Sequence, residues 1–350
     1  MHTKSFYLSG LCLALALGGA RGQIPNASRQ VDSVQQRRQL ESASGFSAGT
    51  NAVPEFYEGE TGDVGPQSVL EFKHRRTLIE ASADEQYFFS DNVFFARHGK
   101  QGADVLVSAV QAALAPTPYE FAGGRLSPRV GYQQQWFNYG LLDSDTVHVY
   151  DPSKTPSIYY TGIGKFDFNV STVFGDVAWR WQNWAFTVGG DYRRLLDSGN
   201  YDEFYHEFVP RWSVGREFPL GKSTALSVTY EGDYRFTEST TLAALNPPMS
   251  PVYPDTFNDR TDQGLLLAGS WRLCSHAILQ PSYRFQFTHY TRINRDDVLN
   301  SFGLALHCPI TRQISIRTFV SYDIANTDGY YVQNYRNLNA GGGLNLTVRF

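Results

Sequence analysis

The sequence is short of cysteine, methionine and lysine, and it contains only one long apolar run. Its 350 residues include 3 cysteines and 2 methionines. The net charge of -4 is too small to imply a nucleic-acid partner. Beyond the first 22 residues there is no nucleotide-binding glycine loop, no zinc-ligand spacing and no nucleophile-elbow motif. Gly341, Gly342 and Gly343 precede no helix and are not a phosphate cradle. No cofactor, no metal and no catalytic residue is therefore expected.

The single apolar run, residues 6–17, follows His2 and Lys4 and precedes the small residues Ala20 and Gly22. This is the pattern of a Sec-type signal peptide over residues 1–22, cleaved before Gln23. A spanning helix needs about 20 apolar residues, and no such run follows. Entry into a membrane then requires a closed barrel, the other arrangement that pairs every backbone polar group in hydrocarbon. A mean hydropathy of -0.34 fits a barrel, in which only alternate residues meet lipid.

What the chain has in quantity is aromatic residues, 15% of the total, and strand-period alternation. Twelve strands are expected, at about 87–97, 103–115, 124–139, 166–181, 184–196, 205–218, 223–237, 263–273, 277–291, 297–307, 312–324 and 335–350. Short connections alternate with long ones at 140–163, 197–204, 238–262 and 325–334, the asymmetry of periplasmic turns and extracellular loops. An even strand count leaves both chain ends on the short-turn side. Alternation falters in the first two strands and again where Phe166, Phe168 and Val170 meet Val173, Gly175 and Val177; a bulge in each would restore register.

Residues 23–86 are polar and read as a largely disordered periplasmic extension, with short helices near 31–40 and 68–81. A flexible tether is preferred to a plug that enters the barrel. The proline-rich loop at 238–262 leaves the same alternatives of inward constriction and outward contact. Cys274 and Cys308 fall in turns on one side of the sheet, where a disulfide needs the turns to lean together.

On the middle strands one face is apolar and the other carries the charge. Tryptophans 179, 181, 184 and 212 near the short turns, and Tyr192, Tyr234 and Tyr290 near the opposite rim, are expected as interfacial girdles. Arg194 and Arg216, on the apolar side, lie near strand ends, where a charge costs little. The inward face offers Arg129, Arg180, Arg193, Arg211, Arg235, Arg272, Arg284 and Arg317, with Asp191, Glu231 and Asp233, as pore-lining residues. Arginine outnumbers acid in this set, which favours anionic or hydroxyl-rich solutes. A filled barrel laced by salt bridges is the competing reading, because twelve strands lie between filled and open sizes. A hydrolase at the rim, built around His289, is a third and lesser one.

The last strand alternates to its end, with Leu344, Leu346, Val348 and Phe350 on one face. It resembles the closing strand and carboxy-terminal sorting signal of bacterial outer-membrane β-barrels. The stretch Tyr87-Phe88-Phe89-Ser90-Asp91-Asn92-Val93-Phe94-Phe95, followed by Ala103-Asp104-Val105, resembles the opening of outer-membrane porins of the second porin-like family, over residues 87–350. The resemblance implies an all-β, antiparallel up-and-down barrel in the outer membrane of a Gram-negative-type bacterium. Its partners would be outer-membrane lipid, the barrel-assembly machinery and a small-molecule solute. It further implies a passive channel for small hydrophilic solutes, saccharides or anions; the alternative is a non-conducting surface or assembly barrel linked to exopolysaccharide or envelope organisation. The sequence leaves the oligomeric state open.

Overall fold

The computed structural model describes residues 24–42 and 78–350, apart from 96, 98, 99, 143–145, 151–157, 222, 240–255, 257, 275, 312 and 329–333. The signal peptide, most of the 238–262 loop and extension residues 43–77 lie outside the described residues.

Twelve long strands form one antiparallel sheet: β1 (Ile79–Ser90), β2 (Ala103–Leu114), β4 (Gly124–Tyr139), β7 (Phe168–Trp181), β8 (Trp184–Asp197), β9 (Glu203–Pro219), β10 (Thr224–Glu238), β11 (Arg260–Cys274), β12 (Ala277–Tyr290), β13 (Arg295–Pro309), β14 (Ile314–Thr327) and β15 (Tyr335–Arg349). A short β3 (Tyr119–Phe121) pairs with β4, and β5 (Thr146–Tyr150) with β6 (Ile158–Gly162) makes a hairpin in the longest outer connection. Each strand pairs with its sequence neighbour in the cylinder, and β1 pairs with β15, so the sheet closes. The seam runs to Phe350, whose carbonyl accepts from Leu78 and Ile79 N–H at 2.7 and 3.2 Å and whose N–H donates to Ile79 at 2.9 Å.

Outward side chains form an apolar belt in which Val188, Phe302 and Leu344 are 66%, 48% and 46% exposed. A closed sheet with a greasy exterior is the outer-membrane solution to backbone pairing in lipid, and the protein is a transmembrane barrel of that kind. Trp181, Trp212 and Tyr192 stand on this outer surface, as the girdle reading requires. Arg216 lies over the rings of Trp184 and Phe218, 5.0 and 4.9 Å from their centroids. Tyr290 departs from that reading: it is 4% exposed and faces the lumen, where the Arg295 guanidinium lies 4.1 Å from its ring centroid. Cys274 and Cys308 are both free thiols.

Three expectations change. The first strand begins at Ile79 rather than near residue 87, and the expected helix near 68–81 gives way to β1 from Ile79 onward. Its lower half lacks an apolar face in the sequence, because Ser82, Asp84 and Gln86 make it polar on the lumen side and Ala81, Ala83 and Glu85 add little apolar area outside. The bulges are also absent: β1, β2 and β7 keep unbroken register with their neighbours. What changes along these strands is polarity, not phase. Near the outer ends of β1, β2, β4 and β7, Phe88, Val105, Val107, Phe137, Phe168 and Val170 point inward and are at most 4% exposed.

That apolar patch seats a helix from the extension, the third change. Helix α1 (Ile24–Ser42) lies in the lumen with Ala27, Val31 and Val34 buried against the patch. Spacings of four and three residues place these side chains on one stripe. Burying each valine contributes about 1.5–3 kcal/mol. The direction of α1 follows from its contacts. Ser28, Arg29 and Gln30 reach Arg260, Asp297 and the Val93 carbonyl at the loop end, whereas Arg37 lies over Phe319, further toward the short-turn end. The amino end of α1 therefore points to the outer mouth, opposite to the periplasmic placement expected for the extension.

An epitope inserted just before Ile24 is accessible to antibody on intact cells, while the same epitope in the 220–223 turn is labelled only after permeabilisation. At the seam, a Cβ on Gly341 would lie 2.3 Å from both Phe88 Cβ and the Tyr87 carbonyl, whereas one on Gly175 meets nothing closer than 3.9 Å. Gly341→Val should destabilise the barrel by about 1–3 kcal/mol and reduce the heat-modifiable band on gels, with Gly175→Ala close to wild type.

Candidate functional site: the lumen and its helix

The wall opposite the apolar patch is ionic, and α1 turns its polar side to it. Asp32 accepts from Arg235 Nη1 with both carboxylate oxygens at 2.9 Å and from Arg193 Nη1 at 3.1 Å, and Arg260 Nη2 lies 3.7 Å away. Gln35 accepts from Arg193 Nη2 at 2.7 Å. The three arginines are also held from behind. Glu207 takes Arg193 at 2.9 Å and the Tyr205 hydroxyl at 2.9 Å, and Asp262 lies 2.9 Å from Arg235. Near the outer mouth Arg29 donates to Asp297 at 2.9 Å, and its guanidinium lies 5.4 Å from the Tyr335 ring centroid. Deeper in, the Arg37 guanidinium lies 4.3 and 4.7 Å from the ring centroids of Phe88 and Phe319.

Beneath the helix a cavity of about 700 Å³ runs from Asp32, Gln35 and Gln36 to Glu80, Arg180 and Arg349 at the inner rim. Nine of the eleven residues expected to line a pore lie on it: Arg129, Arg180, Arg193, Arg211, Arg235, Arg284, Asp191, Glu231 and Asp233. Within it Arg129 donates to Asp176 at 3.0 Å, Arg211 reaches Asp176 and Asp191 at 3.4 and 3.3 Å, and Arg284 pairs with Glu231. Arg317 instead pairs with Asp84 at 3.0 Å beside a smaller cavity that it shares with Ser33 and Arg37. Arg272 is exposed at the inner end of β11 and does not line the large cavity. Leu344, Leu346, Val348 and Phe350 lie on the outward face at the seam.

The arginine excess read from the sequence does not survive assembly. Seven arginines line the cavity, and so do seven carboxylates, of Asp32, Glu80, Asp176, Asp191, Glu231, Asp233 and Asp262. The carboxylates that the strand pattern missed are Asp32, Glu80 and Asp262 on the cavity, with Asp84, Glu207 and Asp297 elsewhere in the lumen. A continuous alternation count through β1, β9, β11 and β13 would have assigned the strand members to the inward face. Asp32 required recognising the stripe Ala27, Val31, Val34 as the buried face of a helix. His289 holds Asp296 at 2.7 Å, while its neighbour Thr288 turns inward to Asp262, so the two side chains lie on opposite faces of β12.

No family model and no curated protein sequence matches the chain. Among solved structures it is similar to an outer membrane channel from Pseudomonas putida F1, with 10% identity, a TM-score of 0.48 and coverage of 82% of this chain and 99% of that one. It is also similar to the NanC porin (10% identity, TM-score 0.38, 75% and 98% covered). A third is the beta domain of the Bordetella autotransporter BrkA (12% identity, TM-score 0.42, 78% and 100% covered).

Asp32 makes more charged contacts with the ionic wall than the other described helix side chains, reaching Arg193, Arg235 and Arg260. Removing one member of a buried ion pair costs about 3–5 kcal/mol, and the low end applies here because the arginines keep other carboxylates. Asp32→Ala should loosen α1 without unfolding the barrel, so that trypsin cleaves at Arg29 or Arg37 in protein that still shows heat-modifiable mobility. Wild-type protein should resist cleavage there.

Proposed function

We propose that this barrel is a porin-like passive channel for small hydrophilic solutes whose resting state is closed by α1. The observation that carries this reading is the wide, polar and charge-balanced cavity that ends on a helix held by side-chain contacts. A barrel built only as a scaffold has no need of a cavity of that size facing the periplasm. Equal numbers of arginines and carboxylates neither concentrate nor exclude one sign of ion, so uncharged, hydroxyl-rich solutes such as saccharides fit it better than anions. Paired guanidinium and carboxylate groups offer such solutes donors and acceptors side by side.

The close packing of α1 favours a competing reading, a non-conducting barrel with a role in the envelope. Planar-bilayer recording separates the two. The channel reading expects rare, brief current steps from the wild-type chain, at least tenfold higher open probability for Asp32→Ala, and a reversal potential near zero in a salt gradient. Arg284→Gln should then shift selectivity toward cations. Silence from both wild type and Asp32→Ala, with barrels folded, would leave the non-conducting reading standing.

A further inference from the structure

The wall beneath α1 carries polar groups that the protein leaves unpaired. Gln133 and Gln135 point inward on β4, away from the exposed Tyr132, and Gln135 is the next inward residue below Phe137 of the helix seat. It stands between Ala109 of β2 and Val170 of β7 and is fully buried. Thr172 of β7, 2% exposed, stands opposite Gln133 on one side and Arg193 on the other. Among the described residues neither amide atom of Gln135 nor the Thr172 hydroxyl has a hydrogen-bond partner. Gln133 Nε2 reaches Gln111 Oε1 only at 3.5 Å.

These groups lie where the large cavity ends against the helix. Gln133 and Thr172 line the cavity together with Asp32 and Gln35 of α1, and Arg193, beside Thr172, holds both of those helix side chains. Gln135 lies one step beyond, at the edge of the apolar cluster that joins Phe137 and Val170 to Val31 and Val34. Docking of α1 therefore covers an amide and a hydroxyl for which the wall supplies no partner. A buried donor or acceptor left unpaired carries the full desolvation penalty of its group, and folded proteins keep few of them. The docked state bears that penalty and the undocked state does not.

We infer, on the basis of the channel reading, that Gln133, Gln135 and Thr172 form a binding subsite for a neutral saccharide, and that solute and α1 compete for it. Each amide presents donors and an acceptor, and the threonine hydroxyl presents both, which is the pattern that sugar hydroxyls complement. The three side chains are uncharged, and Arg193 beside them is already held by Glu207, Asp191 and Asp32, so an ionic solute gains no partner there. Below Thr172 the Phe174 ring lies against β4 at Gly131, where a Cβ would stand 2.6 Å from Phe174 Cζ. Phe174 lines the same cavity and offers an apolar surface to the C–H face of a sugar ring. A ligand shifts an equilibrium only through its different affinity for the two states. The docked helix denies the solute Gln135, so occupation of the subsite favours the undocked helix.

Trypsin cleavage at Arg29 and Arg37 of the folded full-length protein, in a detergent without sugar head groups, reads the helix directly and needs no conduction. Asp32→Ala, in which cleavage is measurable, serves as the background. Maltose should speed cleavage about threefold or more at saturation, and glucuronate at the same concentration should not. Adding Gln135→Leu should slow cleavage without sugar, because the docked state no longer buries an unpaired amide, and should abolish the response to maltose. Adding Thr172→Val should weaken that response. Faster cleavage on adding Gln135→Leu would mean that the amide holds the helix, and overturns the inference. A rate unchanged by maltose, or raised equally by glucuronate, does so as well. The channel reading fails separately, when folded Asp32→Ala is silent in the bilayer; a conducting Asp32→Ala whose helix ignores maltose removes the subsite alone.

Discussion

Every peptide group placed in hydrocarbon must find its hydrogen-bond partner within the protein, and this barrel satisfies that condition only because β1 meets β15. The seam is where the condition is hardest to meet, since the pairing strands are separated by nearly the whole of the barrel sequence. Glu80 to Ser90 pair without a break against Arg349 to Asn339, and the Phe350 backbone closes the last bonds. Gly341 lets Phe88 lie against the partner strand at this point, and Phe88 in turn forms part of the surface on which Arg37 rests. Closure of the sheet and docking of the helix thus share a residue.

The lumen is built as two walls of opposite character, and α1 fits between them. Its valines use the apolar wall, and Asp32, Gln35 and Arg29 use the ionic one. Two physical effects of similar size therefore hold the segment: apolar burial, and buried pairing that is strong only while all partners are present. The consequence for permeation is a lumen divided in depth. The outer half is occupied by α1, and the inner half is a polar cavity whose charges balance.

Much of the cylinder was legible before any coordinates. The middle strands from Trp184 to Phe287 alternate so regularly that face, length and order all follow from period two, and the loop-length asymmetry gives their direction. The ends of β1, β2 and β7 were the places where alternation failed, and those failures marked the helix seat. The pattern was sound there, but the rule that the lumen is polar did not hold where a segment from far away in sequence occupies it. The candidate site was legible in part: Arg193, Arg235 and Arg284 could be assigned to the lumen, while Asp32 could not, because nothing in strand periodicity places a helix inside a barrel.

The sequence by itself determined the closed antiparallel sheet, its strand order and which side chains face lipid along most of its circumference. These are local consequences of alternation and turn length, carried by residues within a few positions of one another. Only the tertiary structure decided where α1 goes and which carboxylates balance the lumen arginines. Those depend on groups such as Asp32 and Arg235, or Asp84 and Arg317, brought together from more than 200 positions apart, and their pairing is fixed by the geometry of the closed barrel.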